Sequence, residues 1–163
     1  MKKILTASIL AITSAFCMNA NAATAVGNFN VAVSLQSQCQ INTINPAGAA
    51  TITDIAIAYT SFQTTVTNAN TTFNVRCTNT LPFSLALDSG TGAASGINYL
   101  LSLGTSATTN IVTAVPSLLS QAGTGVDVAY FVSATAAAGQ AGTLTTSTAP
   151  TAVNSPRTVT ITY

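Results

Sequence analysis

The side chains that carry acid–base, nucleophilic or metal chemistry are nearly missing from this chain. It has no His and no Glu, and its acids are Asp54, Asp88 and Asp127. General acid–base catalysis needs titratable groups within hydrogen-bond reach, and zinc or di-metal centres need several His, Cys or carboxylate ligands. Three Asp on separate segments supply neither, and a calcium site built from them would require a chance convergence. The many Ser and Thr hydroxyls have no imidazole to activate them. Gly90-Thr91-Gly92 and Gly123-Thr124-Gly125 lack the Lys-Ser/Thr and helix of a phosphate loop and read as turns. Asn70-Thr71-Thr72 spells a glycosylation acceptor but follows a bacterial-looking export signal. The cations are Lys2, Lys3, Arg76 and Arg157, for a formal net charge of +1. That excludes a nucleic-acid binder working by phosphate neutralisation. Composition argues against an enzyme and implies no cofactor and no metal.

The other chemically distinctive residues are Cys17, Cys39 and Cys77. Their meaning depends on the compartment, and residues 1–22 read as a secretory signal peptide. Met1-Lys2-Lys3 is a basic start, Ile4 to Phe16 an apolar stretch, and Ala20-Asn21-Ala22 a small-x-small cleavage box. The apolar stretch is shorter than the roughly 20 residues that span a bilayer. A buried N-terminal helix is the competing reading. Cleavage after Ala22 removes both Lys and Cys17, leaving two Arg against three Asp. Cys39 and Cys77 are then an even pair in an exported chain, which suggests a disulfide, with two free buried thiols as the alternative. So few charges leave solubility to Thr, Ser, Asn and Gln, which suits a body that packs beside copies of itself.

The elements that must position these residues are strands. Of the 163 residues 48% are hydrophobic, yet beyond residue 22 they show no helical period, only short alternations of period two. Phe29, Val31, Val33 and Leu35 form one set; Ile55, Ile57 and Tyr59 a second; Phe73, Val75 and Cys77 a third. Phe83, Leu85 and Leu87 follow, then Tyr99, Leu101 and Leu103, then Val126, Val128, Tyr130 and Val132, and last Val159, Ile161 and Tyr163. Asn-Pro, Leu-Pro and Gly-Thr-Gly clusters separate them. About seven such strands predict an all-β, two-sheet sandwich of immunoglobulin type. The Thr/Ala/Ser tract across 134–156 reads either as ordered chain or as a disordered linker. No solenoid repeat is visible.

The first alternating run, Gly27 to Gln36, lies at the start of the processed chain. It is either the first strand of a self-contained sandwich or a detachable donor that completes a neighbouring subunit by β-strand addition. Four apolar side chains on one face would contribute roughly 6–12 kcal/mol of gross transfer energy in such a joint, an upper bound.

Specific segments carry a family resemblance. FNVRCTNTLPFSLALDSG at 73–90, with Cys39 upstream, AAGQAGT at 137–143 and the ending RTVTITY at 157–163, resembles the spore coat protein U domain family. That family includes the major subunits of Csu-type archaic chaperone–usher pili. The resemblance spans essentially all of the chain after the signal. Relatives often carry a Phe-Gly step after the first Cys, a Gly-x-Tyr-x-Asp approach to the last strand and a second Cys pair. Here Tyr59-Thr60-Ser61-Phe62 and the Thr/Ala tract stand in the first two places.

The resemblance implies an incomplete immunoglobulin-like β-sandwich of pilin type, lacking its last strand and completed by donor-strand exchange. A periplasmic chaperone lends the strand, and at the outer-membrane usher the next subunit's N-terminal segment replaces it. Carried onto this chain, residues 23–36 form the donor segment, with Phe29, Val31, Val33 and Leu35 its inward face. Residues 37–163 form the pilin domain, Cys39 pairs with Cys77, and Val159, Ile161 and Tyr163 form the chaperone-pairing C-terminal strand. The expected function is a structural subunit of a surface pilus or fimbria, a head-to-tail homopolymer exported through the periplasm for adhesion and biofilm formation. The alternative is an exported monomeric adhesin of the same fold, binding a carbohydrate or an abiotic surface. An exposed apolar cluster around Leu100, Val115, Leu118 and Leu119 would favour that alternative.

Overall fold

A computed structural model describes residues 24–42, 50–143 and 152–163. The expected signal peptide, 1–22, and the middle of the Thr/Ala tract lie outside the described residues. The chain falls into two units, Met1–Ser34 and Leu35–Tyr163. In the first, residues 24–34 form no strand and are exposed throughout.

The second unit is all-β. Its strands are β1 (Cys39–Ile41), β2 (Thr67–Cys77), β3 (Pro82–Leu87), β4 (Thr91–Ala94), β5 (Ile97–Gly104), β6 (Ser117–Ala122), β7 (Val128–Ala136) and β8 (Val159–Thr162). They build a five-stranded sheet in the order β1-β2-β7-β5-β4 and a three-stranded sheet in the order β6-β3-β8. Every strand ladder is antiparallel. An immunoglobulin sandwich sets strands A, B, E and D in one sheet and C, F and G in the other. On that plan β1, β2, β7 and β5 take the places of A, B, E and D, while β3 and β8 take those of C and F. No strand takes the place of G among the described residues, so the sandwich is incomplete.

Alternation explains the core. Phe73, Val75 and Cys77 of β2, Phe83, Leu85 and Leu87 of β3, and Tyr99, Leu101 and Leu103 of β5 are all buried between the sheets. Tyr130 and Val132 of β7 join them, and the Tyr130 ring lies 6.1 Å from Phe73 and 6.3 Å from Phe83. At the end of β7 the alternation stops, because Val132 to Ala136 are buried on both faces. The connection after β5 returns across the outer face of the five-stranded sheet. Thr108 N–H donates to Ser133 Oγ at 2.9 Å, and Ile111 N–H to Thr135 Oγ1 at 3.0 Å. Buried Ser and Thr hydroxyls here satisfy backbone donors that would otherwise lose water without replacement.

Several elements differ from the sequence expectation. The run Ile55 to Tyr59 has the predicted alternating burial but belongs to no ladder. β2 begins at Thr67, well before Phe73, because small residues such as Ala69 face inward there. β4 is hidden by Thr-Gly-Ala-Ala content that reads as turn, and β6 by Leu118 and Leu119 standing side by side without alternation. The Thr/Ala tract is strand as far as Ala136, and residues 137–143 are hydrogen-bonded to the rest of the sandwich.

Candidate strand-acceptor site

β8 is short and pairs on one side only, with β3, through Ser84–Thr162, Leu85–Ile161, Ala86–Thr160 and Leu87–Val159. Its other edge meets no strand among the described residues. Val159 and Ile161 face the core and remain half-buried; Tyr163 is exposed. Residues 50–59 form a ribbon without a ladder, and its Ile52, Ile55, Ile57 and Tyr59 pack half-buried against the same core. Half-buried Ile and Tyr on an unpaired ribbon, with an unpaired edge strand bearing half-buried Val and Ile, make an apolar site with open backbone groups. Such an edge is a template for another strand.

Polar groups anchor both the start of β8 and the end of the ribbon. Arg157, just before β8, donates through Nη2 to Ser89 O at 2.7 Å and through Nη1 to Thr91 O at 3.0 Å. Its Nε faces Asp88 Oδ1 at 3.2 Å as an ion pair. Asp88 also accepts from Thr158 N–H at 3.3 Å and donates its own N–H to Thr158 O at 3.1 Å. This clamp ties the start of β8 to the β3–β4 turn. At the far end of the ribbon, Tyr59 Oη donates to Ala137 O at 2.7 Å and accepts from Gln140 N–H at 3.0 Å. Neither Arg157 nor Gln140 stood out in the sequence: a lone Arg reads as surface, and only Gly139 and Gly142, both left-handed, mark a special backbone there.

Cys39 and Cys77 lie directly opposite each other in the β1–β2 ladder and form a disulfide that closes a separation of 38 residues. The free-thiol alternative therefore falls. Gly123 lies so close to the Thr78 carbonyl and Cys77 that no Cβ fits, and Gly125 N–H donates to Cys77 O at 3.0 Å. The Gly123-Thr124-Gly125 turn thus braces the disulfide.

The other singled-out residues do not converge. Asp88 and Asp127 pair with Arg157 and Arg76, while Asp54 is exposed on the ribbon. Asn70-Thr71-Thr72 lies inside the β2–β7 ladder, and Gly92 is in β4 against Tyr99. Of the apolar loop cluster, Leu119 and Val115 are exposed, whereas Leu100 and Leu118 are half-buried. Phe29, Val31, Val33 and Leu35 are 75–85% exposed, and residues 24–38 carry no charge.

No curated protein and no solved structure matches the chain. A family model, the Spore Coat Protein U domain, matches residues 25–163. An incomplete, disulfide-linked β-sandwich with an open edge at β8 agrees with that match, and the chain belongs to the Spore Coat Protein U domain family of structural, chaperone–usher pilin-type proteins.

Proposed function

We propose that this protein is a pilus subunit that polymerises head to tail by donor-strand exchange. Residues 23–36 of one copy add a strand to β8 of the next, setting Phe29, Val31, Val33 and Leu35 against the ribbon and the core. The observation that carries this reading is a matched pair of deficits. One segment exposes four large apolar side chains, Phe29, Val31, Val33 and Leu35, at alternate positions, and among the described residues no strand pairs with the free edge of β8 beside half-buried Val159 and Ile161. A joint between two different surfaces propagates as a filament whenever its rotation does not close into a ring. Before assembly a periplasmic chaperone supplies a strand to the same edge, pairing with Val159, Ile161 and Tyr163. An outer-membrane usher then exchanges it for the next subunit's segment. Residues 1–22 direct export, and the fibre serves adhesion and biofilm formation at the cell surface.

The test compares three forms: the processed chain, the chain without residues 23–36, and that truncated chain with residues 23–36 fused after Tyr163. The first is expected to polymerise. The second is expected to stay unassembled and bind added donor peptide, and the third to be a monomer with a much higher melting temperature. A second reading, a monomeric surface-binding adhesin, draws on exposed Leu119 and Val115. It predicts a stable full-length monomer that ignores added donor peptide.

A further inference from the structure

At one pole of the sandwich, a rigid platform holds an aromatic ring in water. Phe62 is 71% exposed and has φ 63°, a backbone region that bulky residues adopt only under constraint. The constraint is visible. Phe62 N–H donates to Gln140 O at 2.9 Å, Gly139 N–H to Gln63 O at 2.8 Å, and Ser61 Oγ to Ala141 O at 2.6 Å. Gln140 Oε1 accepts from Asn98 N–H at 2.7 Å, and its Nε2 returns a bond to Asn98 O at 2.9 Å. With the two Tyr59 bonds, this network ties the turn to β5 and to the chain after β7. Strain kept at an exposed aromatic points to a contact made elsewhere.

The opposite pole has a hollow of about 150 Å³ lined by Gln38, Gln40, Arg76, Cys77, Thr78 and Gly125. The hollow is a depression open to solvent rather than an enclosed cavity, so a ring from another molecule would enter it from outside. Guanidinium planes stack on aromatic faces, and Arg76 is pinned through Nε by Asp127 Oδ1 at 2.8 Å. Phe62 cannot reach the hollow of its own molecule. β2 separates them, running eleven residues from Thr67 to Cys77, and ten rises of about 3.3 Å span roughly 33 Å.

A second copy brings the poles together. This step rests on the proposed strand exchange, with the donor antiparallel to β8 like every other ladder in the molecule. The Leu35 end of the donor then leaves beside Val159, at the pole where Tyr99 Oη meets Ser155 and Tyr59 Oη meets Ala137. Only residues 36–38 separate Leu35 from Cys39, and that stretch reaches at most about 14 Å. The incoming copy's Gln38 pole must therefore lie against the Phe62 pole. We propose that Phe62 of each copy docks in the Gln38–Arg76–Thr78 hollow of the copy whose segment fills its groove, a second joint that sets the angle between neighbours.

The test places benzoylphenylalanine at position 62 of the full chain, assembles fibres in cells, irradiates them and maps the adducts. Adducts between copies on peptides holding residues 38–40, 76–78 or 125 are expected. Arg76→Gln is expected to lower their yield about two- to fivefold. Fibres that form with adducts elsewhere, or with none, overturn the docking and leave strand exchange standing. Wild-type chains that form no fibres overturn both. If the benzoyl group itself blocks assembly, hydroxyl-radical footprinting of wild-type fibres decides. Phe62 oxidation falls several-fold on polymerisation if the ring docks, and is unchanged if it does not.

Discussion

The donor face can be tested one side chain at a time, because its alternation assigns opposite outcomes to neighbouring residues. Val33 is 84% exposed in the isolated chain, so Val33→Asp changes nothing inside the sandwich. Surface substitutions of that kind usually stay within about 0.5 kcal/mol, and the melting temperature of the unassembled protein should hardly move. In the joint, the same substitution removes roughly 1.5–3 kcal/mol of transfer energy. It also buries a carboxylate without a partner, at a cost of several kcal/mol. At about 1.4 kcal/mol per factor of ten, the joint weakens by several orders of magnitude and assembly stops. Val33→Ala removes two methyl groups, about 1.6 kcal/mol, and should speed dissociation about tenfold. Ser34→Asp, on the other face, should assemble nearly as wild type. The assay is the ladder of multimers that survives detergent without heating, with thermal melts of the unassembled chain alongside. Equal loss from Val33→Asp and Ser34→Asp, or normal assembly of Val33→Asp, would refute the face assignment. A Val33→Asp chain that fails to fold would show that the segment belongs to its own sandwich.

Three further outcomes follow from the sandwich itself. Replacing Cys39 and Cys77 by Ser should cost about 4 kcal/mol through the lost loop constraint, read by urea titration under identical conditions. Arg157→Ala should destabilise by about 2–3 kcal/mol and speed amide exchange at Val159–Thr162 before the rest of the fold; Arg157→Lys should not restore it, since an ammonium cannot match the planar fork. Burial raises the Tyr130 phenol above its ordinary range, so the folded state holds that proton longer than the unfolded chain. Its contribution is complete below about pH 10 and is lost as pH rises through the folded-state value, so melting temperature should fall on the alkaline side, and Tyr130→Phe should flatten that fall.

Much of this was legible in the residues. Period-two runs at Phe73–Cys77, Phe83–Leu87, Tyr99–Leu103 and Val126–Val132 named most of the core, because strand geometry ties alternation directly to facing, although Val126 falls before β7 and is exposed. The Cys pair was legible from its count and the expected export signal. The ribbon was half legible: its inward face was read correctly, but its lack of a partner was not. β4 escaped notice because its pairing with β5 rests on backbone bonds with little apolar content of its own, and β6 because Leu118 and Leu119 are adjacent and show no alternation. Gln140 and Arg157 escaped for a related reason. Their partners, Asn98, Phe62, Ser89 and Thr91, are far away along the chain, and no local pattern encodes such meetings.

The chain alone thus determined the β class, most of the inward faces and the cystine, since each follows from residue type and nearest neighbours. Only the tertiary structure decided which edge stays unpaired, where the unladdered ribbon runs, how Arg157 anchors β8, and that Phe62 and the Gln38 hollow sit at opposite poles. Those features depend on which strands pair across long separations. A strand's period says which way its side chains point, and says nothing about which neighbour it finds or fails to find.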